Sequence, residues 1–278
     1  MATLANLTVS GGGYLALPSG NTSQRPSSPA IGMLRYNTTN RQSEGYTGSY
    51  WTDNGLLTTN LILHLDASNL SSYPGSGTVW YDLSGNNNNF NILATAWNPA
   101  GHMDFRGSYG QAKNSADISL SGDVTYVVIG RPRDSTSDWR TLTRSYVSDH
   151  HVIFEDGSYK MGMYDNDAAG FIDSGLRQNT LPNYSTKGFE LFVWRWTNSD
   201  NPTYELTING GQQRGSITNS NARYNRGFGS IGGYHGGNTD PSSGSQFWGE
   251  IRLFAAYNAR LSDAQIAQIY NQLKARIG

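Results

Sequence analysis

Only one stretch of this chain has helical periodicity, and it lies at the C-terminal end. Ser262 and Gln265 have the spacing of a capping box. Leu261 and Ile266 are placed for a hydrophobic staple. Ile266, Ile269, Tyr270, Leu273 and Ile277 form an apolar stripe that predicts docking onto a larger body. Elsewhere apolar residues come in short runs or at every second position, broken by glycine and asparagine. Tyr204, Leu206 and Ile208 alternate with polar residues, and Asn209-Gly210 follows as a primed-turn signal, so a hairpin is expected. Thr125–Ile129 reads as a buried strand. Phe189–Trp196 carries large residues on both faces, which places Trp194 and Trp196 in a core. Ile251, Leu253, Ala255 and Tyr257 predict a last inward face against Glu250 and Arg252.

Composition agrees. With 33 glycines, 17 tyrosines and 7 tryptophans, many turns separate strands of aromatic and β-branched residues. The 278 residues include no cysteine, which excludes disulfides and thiolate metal sites. A net charge of −1 gives no basic excess for phosphates, so nucleic acid is not an expected partner. No apolar run is long enough to span a membrane. Met1–Val9 lacks the basic and apolar regions of a signal peptide.

The chain divides into residues 1–58 and 59–278. The first part is polar, and Leu17–Pro29 is too rich in proline for a helix. Gly32–Asn37 and Glu44–Trp51 read as two strands of a small β-hairpin. A hairpin of that size is marginal alone, so Tyr36, Tyr46 and Trp51 are expected to be buried by partners.

Two resemblances follow from particular residues. Leu63-His64-Leu65-Asp66-Ala67-Ser68 and Trp80-Tyr81-Asp82-Leu83-Ser84-Gly85-Asn86 resemble the opening of laminin-G-like, concanavalin-A-like jelly-roll domains. Gly249–Phe254 followed by Tyr257–Asp263 resembles their last strand and short helix. The resemblance implies an all-β fold: an antiparallel β-sandwich jelly roll with an N-terminal β-hairpin module and a short C-terminal helix. It says little of function. Separately, Leu17-Pro18-Ser19-Gly20, Arg25-Pro26, Gly32–Asn37 with Arg35 and Tyr36, Glu44-Gly45-Tyr46 and Trp51 are similar to a short module of tailed-phage structural proteins. That resemblance implies a virion component, often a homotrimer in fibres. It would be assembled in the host cytoplasm and anchored through these residues to other virion proteins, the major capsid protein or tail and fibre proteins.

Three clusters are candidates for chemistry. Asp66, Asp82, Asn86 and Asn88 supply oxygen ligands that suit a structural calcium, which is also common in lectin-like jelly rolls. The competing reading is an Asx-rich turn with no ion. Asp149-His150-His151, Tyr164-Asp165-Asn166-Asp167, Trp139 and His235 form a candidate contact face for glycan or protein. Neighbouring histidines diverge along a strand and are poor joint metal ligands. Trp51 and Trp97, in polar contexts, read as contact residues. No Glu-x-Asp-x-x-Glu run is present, and Glu155-Asp156 would point to opposite faces of a strand. The chain is therefore expected not to be an enzyme. The favoured expectation is a head decoration protein or head fibre, because no long shaft is present. A tail-fibre protein gripping host glycan is the alternative, and a glycan hydrolase the third reading.

Overall fold

The computed structural model describes residues 16–38, 42–46, 48, 51–53, 56–106, 110–133, 139–145, 150–156, 158–165, 170–197, 203–218, 227–233 and 246–277. The chain forms two compact units, Met1–Asn54 and Gly55–Gly278.

The first unit is built on a four-stranded sheet whose strands lie in chain order. Its strands are β1 (Ser19–Gly20), β2 (Leu34–Asn37), β3 (Gln42–Tyr46) and β4 (Trp51–Asp53). This is more than the expected hairpin. Trp51 starts a strand of its own, and Ser19-Gly20 adds a parallel edge to β2. The proline-rich stretch also holds one 3-10 turn, Thr22–Gln24, which fits because Asn21 and Gln24 form a capping box ahead of Pro26.

The centre of this unit is ionic. Glu44 is fully buried and accepts from Arg25 Nη2 at 2.6 Å, Arg35 Nη1 at 3.1 Å and Asn37 Nδ2 at 3.0 Å. Burial alone would raise the Glu44 pKa, but the bonds from Arg25 and Asn37 outweigh it and the pKa is lowered. Trp51 is buried rather than offered for contact. Its ring lies 5.4 Å from that of Tyr46, and the Arg35 guanidinium 5.9 Å from its centroid. Leu17 and Tyr46 are half-buried. Tyr36 stays exposed, with Ile31, Met33 and Leu34.

The second unit is a two-sheet antiparallel sandwich. Its first strands are β5 (Leu61–Asp66), β6 (Val79–Trp80), β7 (Phe90–Leu93), β8 (Ala96–Asn98), β9 (His102–Asp104), β10 (Gln111–Ile118), β11 (Val124–Pro132) and β12 (Trp139–Arg144). Then come β13 (His150–Asp156), β14 (Lys160–Asp165), β15 (Gly170–Arg177), β16 (Glu190–Trp196), β17 (Thr203–Ile208), β18 (Gln213–Thr218), β19 (Phe228–Ile231) and β20 (Gly249–Tyr257). The front sheet runs β15-β14-β13-β12-β19-β10-β7-β6. The back sheet runs β18-β17-β16-β11-β20-β9-β8, with β5 also paired to β20.

Strands buried on both faces explain the apolar runs. In β16, Phe192, Trp194 and Trp196 enter the core between the sheets, while Leu191 and Val193 face the other way. That outer side of the back sheet is covered by α1 (Asp263–Leu273) through Ile266, Ile269 and Leu273. Ser262 caps α1 as the sequence implies.

Two details differ from the sequence reading. Ile251 joins the core between the sheets, whereas Leu253, Ala255 and Tyr257 face α1. The cause is a bulge: Ile129 pairs with Leu253 but Gly130 pairs with Ile251, so Arg252 is the extra residue and parity flips there. The β17–β18 connection is not a two-residue turn, because Ile208 pairs with Gln213. Asn209 and Gly210 do take positive φ, 47° and 71°. A Cβ at position 210 would lie 2.7 Å from the ring of Tyr270, so glycine lets α1 sit close.

Candidate functional site

The residues singled out for a metal are committed to the fold. Asp66 is fully buried and accepts from Arg276 Nη2 at 2.6 Å and from the Ser68 N–H and Oγ. Burial would raise its pKa, but Arg276 outweighs that and holds it at about 2. Asp82 forms an Asx turn: Oδ1 accepts from the N–H of His64 and of Ser84, and Oδ2 from Ser84 Oγ and the Asn88 N–H. Asn86 and Asn88 donate to the carbonyls of Leu61 and Ile62. At Asp82 a cation would have to displace these donors, whereas Asp66 Oδ2 is buried with no hydrogen-bond partner among the described residues. Among the described residues no group of three or more His, Asp or Glu side chains is placed to hold a metal ion.

The contact-face residues are partly brought together. Trp139 on β12 and Tyr164 on β14 have ring centroids 5.4 Å apart, and Phe171 on β15 lies 5.4 Å from Trp139. All three are half-buried. His150 and Asp165 pair across β13 and β14. Asp149, Asn166, Asp167 and His235 lie outside the described residues. Trp97 is partly buried against Tyr73 and donates Nε1 to the Ala67 carbonyl at 2.8 Å.

A second place was not foreseen. A cleft of about 410 Å³ is lined by Ala94, Ala96, Asp104, Arg106 and Trp248. It lies where β8 and β9 meet the start of β20. Trp248 is half-buried, and its carbonyl accepts from the Arg133 N–H at 2.8 Å. Gly249 follows at a point where a Cβ would meet the Arg131 carbonyl at 2.4 Å, so the chain beside Trp248 packs tightly. The Arg140 guanidinium is 5.8 Å from the Trp248 ring.

Behind the cleft sits Glu250, paired in register with Asp104. Its buried carboxylate meets Arg131 at 3.1 Å, Arg133 at 3.0 Å and Arg106 at 3.3 Å. Asp104 binds Arg106 through Nε at 2.9 Å and Nη2 at 2.6 Å. That fork lowers the Asp104 pKa, so Asp104 is ionised near neutrality. The arrangement offers a flat aromatic surface beside an ordered charged pair. The sequence signal was faint: Trp248 and Glu250 near Asp104 and Arg106 require knowing that β9 pairs with β20.

No family model matches the chain, and no curated protein does. Solved structures do. A Trypanosoma rangeli sialidase in complex with 2,3-difluoro-KDN is 13% identical with a TM-score of 0.52, over 78% of this chain and 33% of that one. The same organism's sialidase with 2,3-difluorosialic acid, a covalent intermediate, is 14% identical with a TM-score of 0.51 over the same shares. The chain therefore spans about a third of the length of these sialidases. Domain 4 of an extracellular arabinanase from Geobacillus stearothermophilus, in complex with arabinotriose, is 14% identical over 76% of this chain and 98% of that domain, with a TM-score of 0.45. At these identities the likeness is one of fold: the second unit is a concanavalin-A-like antiparallel β-sandwich.

Proposed function

We propose that the sandwich is a non-catalytic saccharide-binding module of a phage virion protein, anchored to other virion proteins through the N-terminal unit. The observation that carries the saccharide reading is the cleft of Trp248, Asp104 and Arg106. Its volume of about 410 Å³ lies in the range of small-ligand sites. A sugar ring stacks its C–H face on an aromatic surface, and its adjacent hydroxyls suit a carboxylate and a guanidinium side by side. The non-catalytic part rests on the carboxylates. A glycosidase needs one of a pair protonated. Here Arg106 keeps Asp104 ionised, and three arginines occupy Glu250. Glu190 does have a pKa raised by burial, but it accepts from Asn183 and Asn209 and is not among the cleft residues.

The anchoring part rests on the phage-module resemblance and on the exposed apolar side chains of Ile31, Met33, Leu34 and Tyr36. On a head, such a module would tether the particle to glycan-bearing surfaces. On a tail fibre, it would grip the host.

The test is a glycan array probed with the full chain and with Trp248→Ala, together with rebinding to particles lacking this protein. The reading expects array binding that the variant loses, and co-sedimentation with particles that both chains share. Array binding by Trp248→Ala equal to that of the parent chain would refute the cleft, and failure of the full chain to rebind would refute the anchor.

A further inference from the structure

We propose that the saccharide taken by the Trp248 cleft carries a carboxylate. This rests on the saccharide reading above and deepens it.

The argument is one of charge and of unused donors. Arg106, Arg131 and Arg133 surround Glu250, and Asp104 is the other carboxylate of the group. Among the described residues around Glu250, three guanidinium charges stand against two carboxylates, one positive charge over. The chain as a whole has a net charge of −1, so the surplus is local. Arg106 uses Nε and Nη2 on Asp104 and Glu250, and its Nη1 has no partner among the described residues. Its side chain is 41% exposed and it lines the cleft. Arg133 uses Nε and Nη2 on Glu250, and its Nη1 has no partner among the described residues.

A neutral sugar would take water from these donors without matching their charge, which costs affinity. A carboxylate accepts from Nη1 of Arg106, which lines the cleft, and offsets one unit of positive charge. A phosphate group, near −2 at neutral pH, exceeds that surplus. Sulfate has the same charge and is also bound by guanidinium groups, so the sulfated members of the array separate the two. The sheet itself fixes the donors, since Arg131 and Arg133 stand on or beside β11 and are tied to β20 through Glu250. Little ordering entropy remains for binding.

The experiment uses the full chain on an array of neutral, carboxylated and sulfated oligosaccharides. The best carboxylated ligand is then compared by titration with its carboxyl-reduced form. The expected result is a preference of about tenfold for the carboxylated form. Arg106→Gln removes that preference and keeps the weaker neutral binding, while Arg106→Lys keeps part of it. Trp248→Ala loses both, with its thermal melt checked against the parent chain. Equal affinity for the carboxylated and reduced forms overturns the inference and leaves the saccharide reading standing, as does equal or better binding of sulfated forms. No binding by the parent chain to any array member overturns both.

Discussion

Two buried carboxylates of the sandwich, Asp66 and Glu250, sit in opposite kinds of ionic cluster. Asp66 has one arginine, Arg276, which comes from the 3-10 turn Lys274–Arg276 at the end of the chain. Arg252 also donates to the Arg276 carbonyl, at 2.5 Å. The cluster ties the C-terminal segment to β5, with Asp66 matched directly by Arg276 alone. Glu250 has three arginines, and one of them, Arg106, lines a cleft. Among the described residues its three guanidinium groups outnumber the carboxylates of Glu250 and Asp104. The first cluster is a latch whose leftover donors, Arg276 Nη1 and Arg252 Nε, are buried, whereas Arg106 of the second is 41% exposed and lines a cleft. Beside the first cluster, the Asp82 loop is a turn satisfied by its own side chain.

The largest effect should come from breaking the latch. Arg276→Ala leaves Asp66 buried without its counter-charge and should cost about 4 kcal/mol, a fall in Tm of roughly 10 °C. Saccharide binding by the folded variant should be unchanged. Next, Glu250→Gln leaves three arginines crowded around a neutral amide. It should cost about 3 kcal/mol and also weaken saccharide binding, because Arg106 loses one of its two anchors. Finding that Arg276→Ala and Glu250→Gln affect binding alike would erase the distinction between the clusters.

The pH dependence sharpens the contrast. Burial lowers the His64 pKa to about 4, since the imidazolium would be poorly solvated beside Arg276. The unfolded imidazole titrates near 6.5, so between 6.5 and 4 the unfolded chain binds more protons. Stability should therefore fall as pH drops through that window, by up to about 3 kcal/mol, and denaturant melts from pH 7 to 4 would show it. His64→Gln should flatten that limb. Below it, Asp66, depressed to about 2, contributes a further loss as pH falls from about 4 toward 2.

The smallest effect concerns the Asx turn. Asp82→Ala removes four accepted bonds and should cost about 2 kcal/mol, with Tm unmoved by calcium or a chelator in the parent chain. A rise in Tm on adding calcium would favour the ion reading over the Asx turn.

Local patterns in the sequence carried most of the fold. The Ser262–Gln265 cap, the Tyr204–Leu206–Ile208 face and the doubly buried Phe189–Trp196 strand depend on neighbours within a few residues, and all are present. Parity beyond Arg252 was not legible, because a bulge is set by the partner strand. Trp51 was misjudged for a similar reason. Its polar flanks hide a cover made by Arg35 and Tyr46 across the small sheet. The cleft was the least legible feature. Its residues come from positions 94 to 106 and from 248, and its charge from 131, 133 and 250. Only strand pairing brings them together. The aromatic group of Trp139 and Tyr164 was found because its members stand near recognisable polar loops.

The most direct test is a crystal structure of the full chain with the strongest array ligand. The account predicts a sugar ring stacked on Trp248 with its polar groups on Asp104 and Arg106. A ring seated on Trp139, Tyr164 and Phe171 instead, with the Trp248 cleft holding only water, would contradict it.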